Sequence, residues 1–123
     1  MTKQKINLTF LCYDRCTTCQ KAKKWLDAKG VSYETRPIKE QNPTAKELAE
    51  WIKKSRKEAK KFFNTSGLLY REMGLSTKLK EMSEEEMIAL LATDGMLVKR
   101  PILITEKTVL VGFKEPEWEQ TIE

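Results

Sequence analysis

The apolar positions along the chain change their period from one segment to the next. Ile6-Asn7-Leu8-Thr9-Phe10-Leu11-Cys12 is rich in strand formers and predicts a first β-strand. Tyr13 to Thr18 is short and polar, as a loop would be. From Thr17 onward Ala22, Trp25, Leu26 and Lys29 recur at helical spacing, and Gly30 supplies the residue that ends the helix. Val31 to Arg36 alternates and predicts a second strand. Strand, helix and strand over so short a stretch make a βαβ unit, which places the two strands parallel through a right-handed crossover.

The middle of the chain is helical in character. Thr44-Ala45-Lys46-Glu47 has the form of a capping box, and Leu48, Trp51 and Ile52 give the following helix its apolar stripe. Lys57 to Asn64 predicts another short helix, followed by a turn at Asn64-Thr65-Ser66-Gly67. Ser83-Glu84-Glu85-Glu86 is a second capping box, opening a helix with stripe Met87, Leu90 and Leu91 that Asp94-Gly95 closes. Strand character returns at Ile102–Thr105, turns at Glu106-Lys107 and pairs back through Thr108–Val111. Pro116 then fits the first turn of a last helix. The order is βαβ, a helical insert over about 44–94, then ββα. With no repeat, low-complexity tract or linker, one α/β domain over residues 1–123 is expected.

Composition narrows the chemistry. Hydrophobic residues make up 40% and charged residues 33%, the balance of a globular protein. No apolar run approaches the ~20 residues that span a bilayer. The run Ile6–Cys12 is broken by polar residues and lacks a small-residue cleavage site. A cytoplasmic location with no membrane association is therefore expected; a monomer is expected separately. The net charge of +5 suits anionic partners. The chain has no histidine, which excludes Ser-His-Asp and Cys-His catalysis and Cys2His2 zinc sites. Its 3 cysteines, an odd number, do not form the even, dispersed set of a disulfide framework.

Two of those cysteines form Cys16-Thr17-Thr18-Cys19, where the first strand hands over to the first helix. Unpaired N–H groups and the helix dipole favour negative charge at a helix start, so a thiolate at Cys16 is stabilised there. Arg15 adds positive potential, and Cys19, one turn further in, is placed to resolve an adduct on Cys16. Inert packing of both thiols is the plainer alternative. A zinc site would have only Cys12 as a third ligand, and Cys12 ends an apolar strand, where it reads as core. Pro101, in Lys99-Arg100-Pro101-Ile102, has two readings: a strand-starting proline, or a cis-proline facing the cysteine loop with Arg100 aimed at an anion there. The run Lys53-Lys54-Ser55-Arg56-Lys57 with Lys60-Lys61 is interleaved with Glu50 and Glu58 and has no aromatic platform. It reads as a solvated helix face, and no nucleic-acid partner is expected. Trp25, Trp51 and Phe62-Phe63 read as core.

Taken together, Cys16-Thr17-Thr18-Cys19-Gln20-Lys21-Ala22 with Trp25-Leu26, Lys60–Gly67 with Tyr70-Arg71, Leu90–Pro101 and Val111–Glu115 resemble the ArsC/Spx family of arsenate reductase-like proteins. The resemblance implies a thioredoxin-like fold, a mixed four-stranded sheet with a helical insertion between its halves. It makes Cys16 the catalytic cysteine, Arg100 an oxyanion-binding arginine and Pro101 the cis-proline. It implies no tightly bound cofactor, an oxyanion or disulfide substrate, and glutathione, glutaredoxin or thioredoxin as reductant. Arsenate reductases of this fold use three arginines around the oxyanion. Arg100 matches one, while the positions of the others fall near Asn64 and near Phe113-Lys114, where Lys114 replaces only the charge. Cys19 stands where such reductases often carry serine, which points to an internal dithiol couple. The Spx branch implies an alternative, a redox-sensing regulator that binds RNA polymerase, but Phe62–Tyr70 resembles the reductase-like branch more closely.

Overall fold

Alternation along the strands divides the interior in two. In the computed structural model, which describes residues 8–122, β1 (Thr9–Cys12), β2 (Glu34–Pro37), β3 (Ile102–Ile104) and β4 (Val109–Val111) form one sheet in the order β2-β1-β3-β4. β1 and β2 are parallel, with Thr9 opposite Glu34 and Cys12 opposite Pro37. β3 runs antiparallel to both β1 and β4. Leu11, Ile102, Val109 and Val111 point to one face, and Phe10, Cys12, Leu103 and Leu110 to the other. Both faces of β1, β3 and β4 are buried beneath helices, while edge strand β2 leaves Glu34 and Thr35 exposed.

The second face carries α1 (Thr17–Lys29) and α6 (Glu115–Ile122). Ala22 and Leu26 seat α1 on Phe10 and Leu103, and Gly30 ends the helix in the left-handed region at φ 71°. Trp118 of α6 is fully buried, edge-on to Phe113 at 4.9 Å and to Phe10 at 6.3 Å. Its indole Nε1 donates to the Gly112 carbonyl at 3.0 Å, tying α6 to the end of β4. Of the aromatic residues read as core, Trp51, Phe62 and Phe63 are buried and Trp25 is half-buried.

The first face carries the helices between β2 and β3. Both capping boxes form: Thr44 and Glu47 open α2 (Ala45–Ser55), and Ser83 and Glu86 open α5 (Glu84–Leu91). Leu48, Trp51 and Ile52 of α2 and Leu91 of α5 pack there with Phe62 and Phe63. The short helix expected over Lys57–Asn64 is a 3-10 turn, Ala59–Phe62, in which two buried side chains three apart lie on one side. No element was expected over 68–81, yet α3 (Leu68–Glu72), α4 (Leu75–Lys78) and a 3-10 turn (Leu79–Glu81) occupy it. These pieces are too short for periodicity to reveal and are held by packing of Leu75, Met73 and Leu79 on the core.

Several boundaries differ from the sequence reading, with β3 ending at Ile104 rather than Thr105 and β4 starting at Val109 rather than Thr108. The first strand was expected from Ile6, but Ile6 lies outside the described residues, and β1 starts at Thr9. The second strand starts at Glu34 rather than Val31, because Val31 and Tyr33 pack against the α1–α6 core before the ladder begins with Glu34 N–H to Leu8 O at 2.8 Å. Asp94-Gly95 does not close α5 directly. Asp94 instead accepts from the Met96 N–H at 2.8 Å and caps a 3-10 turn, Gly95–Leu97.

Candidate active site

The loop between β1 and α1 delivers Cys16 to the helix start. Cys16 N–H bonds the Tyr13 carbonyl at 2.9 Å, and Cys16 O accepts from Gln20 N–H at 3.1 Å to begin α1. Cys16 thus takes the N-cap position with extended backbone (φ −89°, ψ 118°). A serine or aspartate there would cap the helix through its oxygen; the Cys16 side chain makes no capping hydrogen bond. Ionised, it has good company. Half-burial works to raise the Cys16 pKa, but the net direction is down, because the Cys19 N–H, the Cys19 thiol, the Arg100 charge and the Thr18 N–H all favour the thiolate.

Cys19 is the opposite case. It is buried against Leu26 and Phe10 on the sheet, and its Sγ accepts a weak bond from Tyr13 N–H at 3.4 Å. Burial, only partly offset by that N–H and reinforced by the neighbouring Cys16, pushes its pKa up to about 12. One thiol is therefore ready to ionise and the other is kept protonated beside it. Cys12, read as core, is buried, and burial with the nearby Asp14 charge raises its pKa as well. All three cysteines are free. Among the described residues, no group of three or more His, Cys, Asp or Glu side chains is placed to hold a metal ion.

Cys16 opens into a cavity of about 480 Å³ whose walls are largely cationic and polar. Arg100 lines it, its guanidinium 5.1 Å from the Tyr13 ring centroid. Arg100 Nη1 makes only long contacts, 3.4 Å to Val98 O and 3.5 Å to Met96 O, and its Nε is buried without a hydrogen-bond partner. That leaves a guanidinium with donors to give to an anion beside Cys16. The Arg100–Pro101 peptide bond is cis, and the Pro101 carbonyl accepts from Gly112 N–H at 2.8 Å. Arg15 is exposed at the rim.

Asn64 and Lys114 also face this cavity. Lys99, within the Lys99–Ile102 stretch singled out in the sequence, lines the cavity, whereas sequence reasoning missed Ser66, Tyr13 and Gly112. Lys99 directly precedes Arg100, and its stem lies where Gly112 has no side chain: a Cβ on Gly112 would come within 2.8 Å of Lys99 Cε. Asn64 and Ser66 arrive through the antiparallel contact of Phe63 with Val98, supported by Asn64 N–H to Leu97 O at 2.8 Å and Lys99 N–H to Phe62 O at 2.7 Å. No local pattern in the sequence signals that contact.

The model of the ArsC family matches residues 11–121. The uncharacterized protein YusI of Bacillus subtilis is 50% identical over 94% of this chain and 98% of its own length. The regulatory protein MgsR of the same organism is 29% identical over 89% of this chain and 86% of its own, and the global transcriptional regulator Spx 2 of Bacillus anthracis is 26% identical over 83% and 76%. Among solved structures, an ArsC family related protein of Bacteroides fragilis superposes with a TM-score of 0.92 at 56% identity, covering 95% of this chain and 98% of that one. A possible arsenate reductase of Streptococcus mutans superposes at 0.83 with 42% identity, covering 91% and 97%. With the family model covering residues 11–121 and a relative 50% identical over nearly the whole chain, the chain belongs to the ArsC family.

Proposed function

We propose that the protein is a thiol-dependent oxidoreductase in which the Cys16 thiolate attacks a small oxyanion or a disulfide. The observation that carries this reading is the contrast within the pair: Cys16 has a lowered pKa and faces a cationic cavity, while Cys19 sits protonated and buried behind it. With a disulfide substrate, Cys16 Sγ bonds one sulfur and the other leaves as a thiolate. Cys19, giving up its proton, then attacks Cys16 Sγ, and the second substrate sulfur leaves with the bonding pair. With arsenate, Cys16 Sγ bonds arsenic as one oxygen departs as water. A second thiol, Cys19 or glutathione, then attacks Cys16 Sγ, and the S–As electron pair stays on arsenic, which becomes As(III). Arg100, Lys99 and the α1 N–H groups hold the negative charge in each step. The product disulfide is returned to thiols by glutathione or by a glutaredoxin or thioredoxin, and no tightly bound cofactor enters the cycle.

Thiol mapping by mass spectrometry across graded glutathione redox buffers tests this reading. A Cys16–Cys19 disulfide supports the dithiol cycle, and a glutathione adduct on Cys16 alone supports the monothiol one. Both thiols remaining reduced and unmodified throughout refutes the proposal. Release of As(III) from arsenate and glutathione, absent in Cys16→Ser, decides between oxyanion and disulfide as substrate. A second reading is favoured by the regulators MgsR and Spx 2 among the relatives: the same thiol pair would act as a switch on an RNA polymerase-binding protein. Redox-dependent co-purification with RNA polymerase would support it, and no recovery in either redox state removes it.

A further inference from the structure

A second, larger cavity of about 1030 Å³ lies beside the thiol cavity, and the two share Lys99 and Lys114 in their walls. It is bordered by the Arg56–Lys61 loop, by the segment from α4 to α5 and by β4. Its charge is lopsided. Arg56, Lys61, Lys80, Lys99 and Lys114 form no ion pair among the described residues, and Glu58, the one carboxylate in the wall, reaches Lys60 at 3.7 Å. Half-buried Tyr70 and Met87 add apolar surface to the lining. Small-molecule sites typically occupy about 300–1,000 Å³, so a concavity of this size fits a ligand rather than a flat protein face. Lysines act as point charges that suit phosphate and carboxylate groups, and several in one concavity focus potential on an anion.

From the two lysines that this cationic cavity shares with the Cys16 cavity, Lys99 and Lys114, we infer that it binds the tail of a low-molecular-weight thiol bearing several negative charges, presented to Cys16 as its disulfide. This inference rests on Cys16 being the nucleophile. The anionic tail lies among Arg56, Lys61 and Lys80, Lys99 and Lys114 sit at the junction, and the sulfur reaches Cys16. There Cys16 Sγ bonds the near sulfur, the ligand's S–S bond breaks, and its other half leaves as a thiolate with the bonding pair. The tail supplies binding energy remote from the reacting bond, so it selects the ligand without taking part in the chemistry.

The test measures the rate at which Cys16 acquires a mixed disulfide from three probes: coenzyme A disulfide (long arm, phosphates), oxidised glutathione (short arm, carboxylates) and uncharged hydroxyethyl disulfide. The readout is the ratio of each charged probe's rate to the uncharged one, in wild type and in Lys61→Glu/Lys80→Glu, at low and high salt. A ratio for coenzyme A disulfide that falls at least tenfold in the variant, and falls with salt in wild type, is the expected result. An equal fall for glutathione disulfide assigns the tail to carboxylates as well as phosphates and supports the same inference. Ratios unchanged by the variant, or rates that drop equally for all three probes, overturn the role of the cavity while leaving Cys16 as nucleophile. Failure of every probe to modify wild-type Cys16 overturns this inference and, with it, the disulfide as substrate in the proposed function.

Discussion

The clamp between Arg36 and Glu47 offers a quantitative test of how the helical insert is held on the sheet. Arg36, on edge strand β2, donates from Nη1 and Nη2 to the two Glu47 carboxylate oxygens at 2.8 and 2.9 Å. Its Nε bonds Gln41 O at 2.9 Å, and its guanidinium lies 5.6 Å from the Trp51 ring centroid. Glu47 Oε1 also accepts the Thr44 N–H at 3.0 Å, closing the α2 capping box. The Arg36 bonds, aided by Thr44 and opposed by partial burial, hold the Glu47 pKa down to about 2 against an ordinary 4.5. At about 1.36 kcal/mol per pH unit this is at most ~3.4 kcal/mol of stability at neutral pH. The Glu47 side chain is 35% exposed, and solvent screening reduces the figure to ~1–2 kcal/mol. Glu47→Gln removes the charge but keeps an acceptor for Thr44, so it isolates the ion pair from the cap. Because the folded pKa is depressed, the stabilisation is present above the ordinary value of 4.5 and is lost as pH falls toward 2. Urea unfolding of both proteins should therefore show a gap of ~1–2 kcal/mol at pH 7 that shrinks by roughly half or more between pH 5 and pH 3. A gap below ~0.3 kcal/mol at pH 7, or one that does not narrow in acid, would refute the assignment of the pKa to this pair.

Three further outcomes are expected. The pH midpoint for iodoacetamide alkylation of Cys16, followed by mass spectrometry, lies below that of an ordinary thiol and moves upward in Arg100→Ala, with Cys19 unreactive over the same range; an unmoved midpoint would remove Arg100 from the thiolate's surroundings. Gly95→Ala places a Cβ 1.9 Å from the Ile38 carbonyl oxygen, a backbone atom, so the variant should lose about 1–3 kcal/mol or more in urea, and an unshifted midpoint would show that the two segments separate freely. Arg56, the only non-glycine among the described residues with positive φ (61°), ends α2 in the left-handed region, so Arg56→Gly should gain up to about 1 kcal/mol, read as a melting temperature a few degrees higher; a fall would mean that the Arg56 side chain holds more than its backbone costs.

The sequence by itself determined the features that depend on neighbours along the chain. Hydrogen-bonded caps reach only three or four residues, which is why Thr44, Ser83 and Gly30 mark helix ends correctly without any tertiary context. The same locality places Cys16 at the N-cap of α1, and with it the direction of its acidity. Where a segment is too short to hold a period, as in α3 and α4, the pattern along the chain carries no signal and packing alone makes the helix. Tertiary structure also decided who joins Cys16. Asn64, Ser66 and Lys99 reach the site through one antiparallel contact between Phe63 and Val98, residues far apart in the chain, and Arg100 reaches it from the segment that leads into β3. Likewise, Arg56, Lys57, Lys60 and Lys61 of the run that reads as a solvated helix face gather with Lys80, Lys99 and Lys114 around one cavity only after the insert folds onto the sheet. Charge acts through space, and its spacing in sequence says nothing of the distances at which it will act.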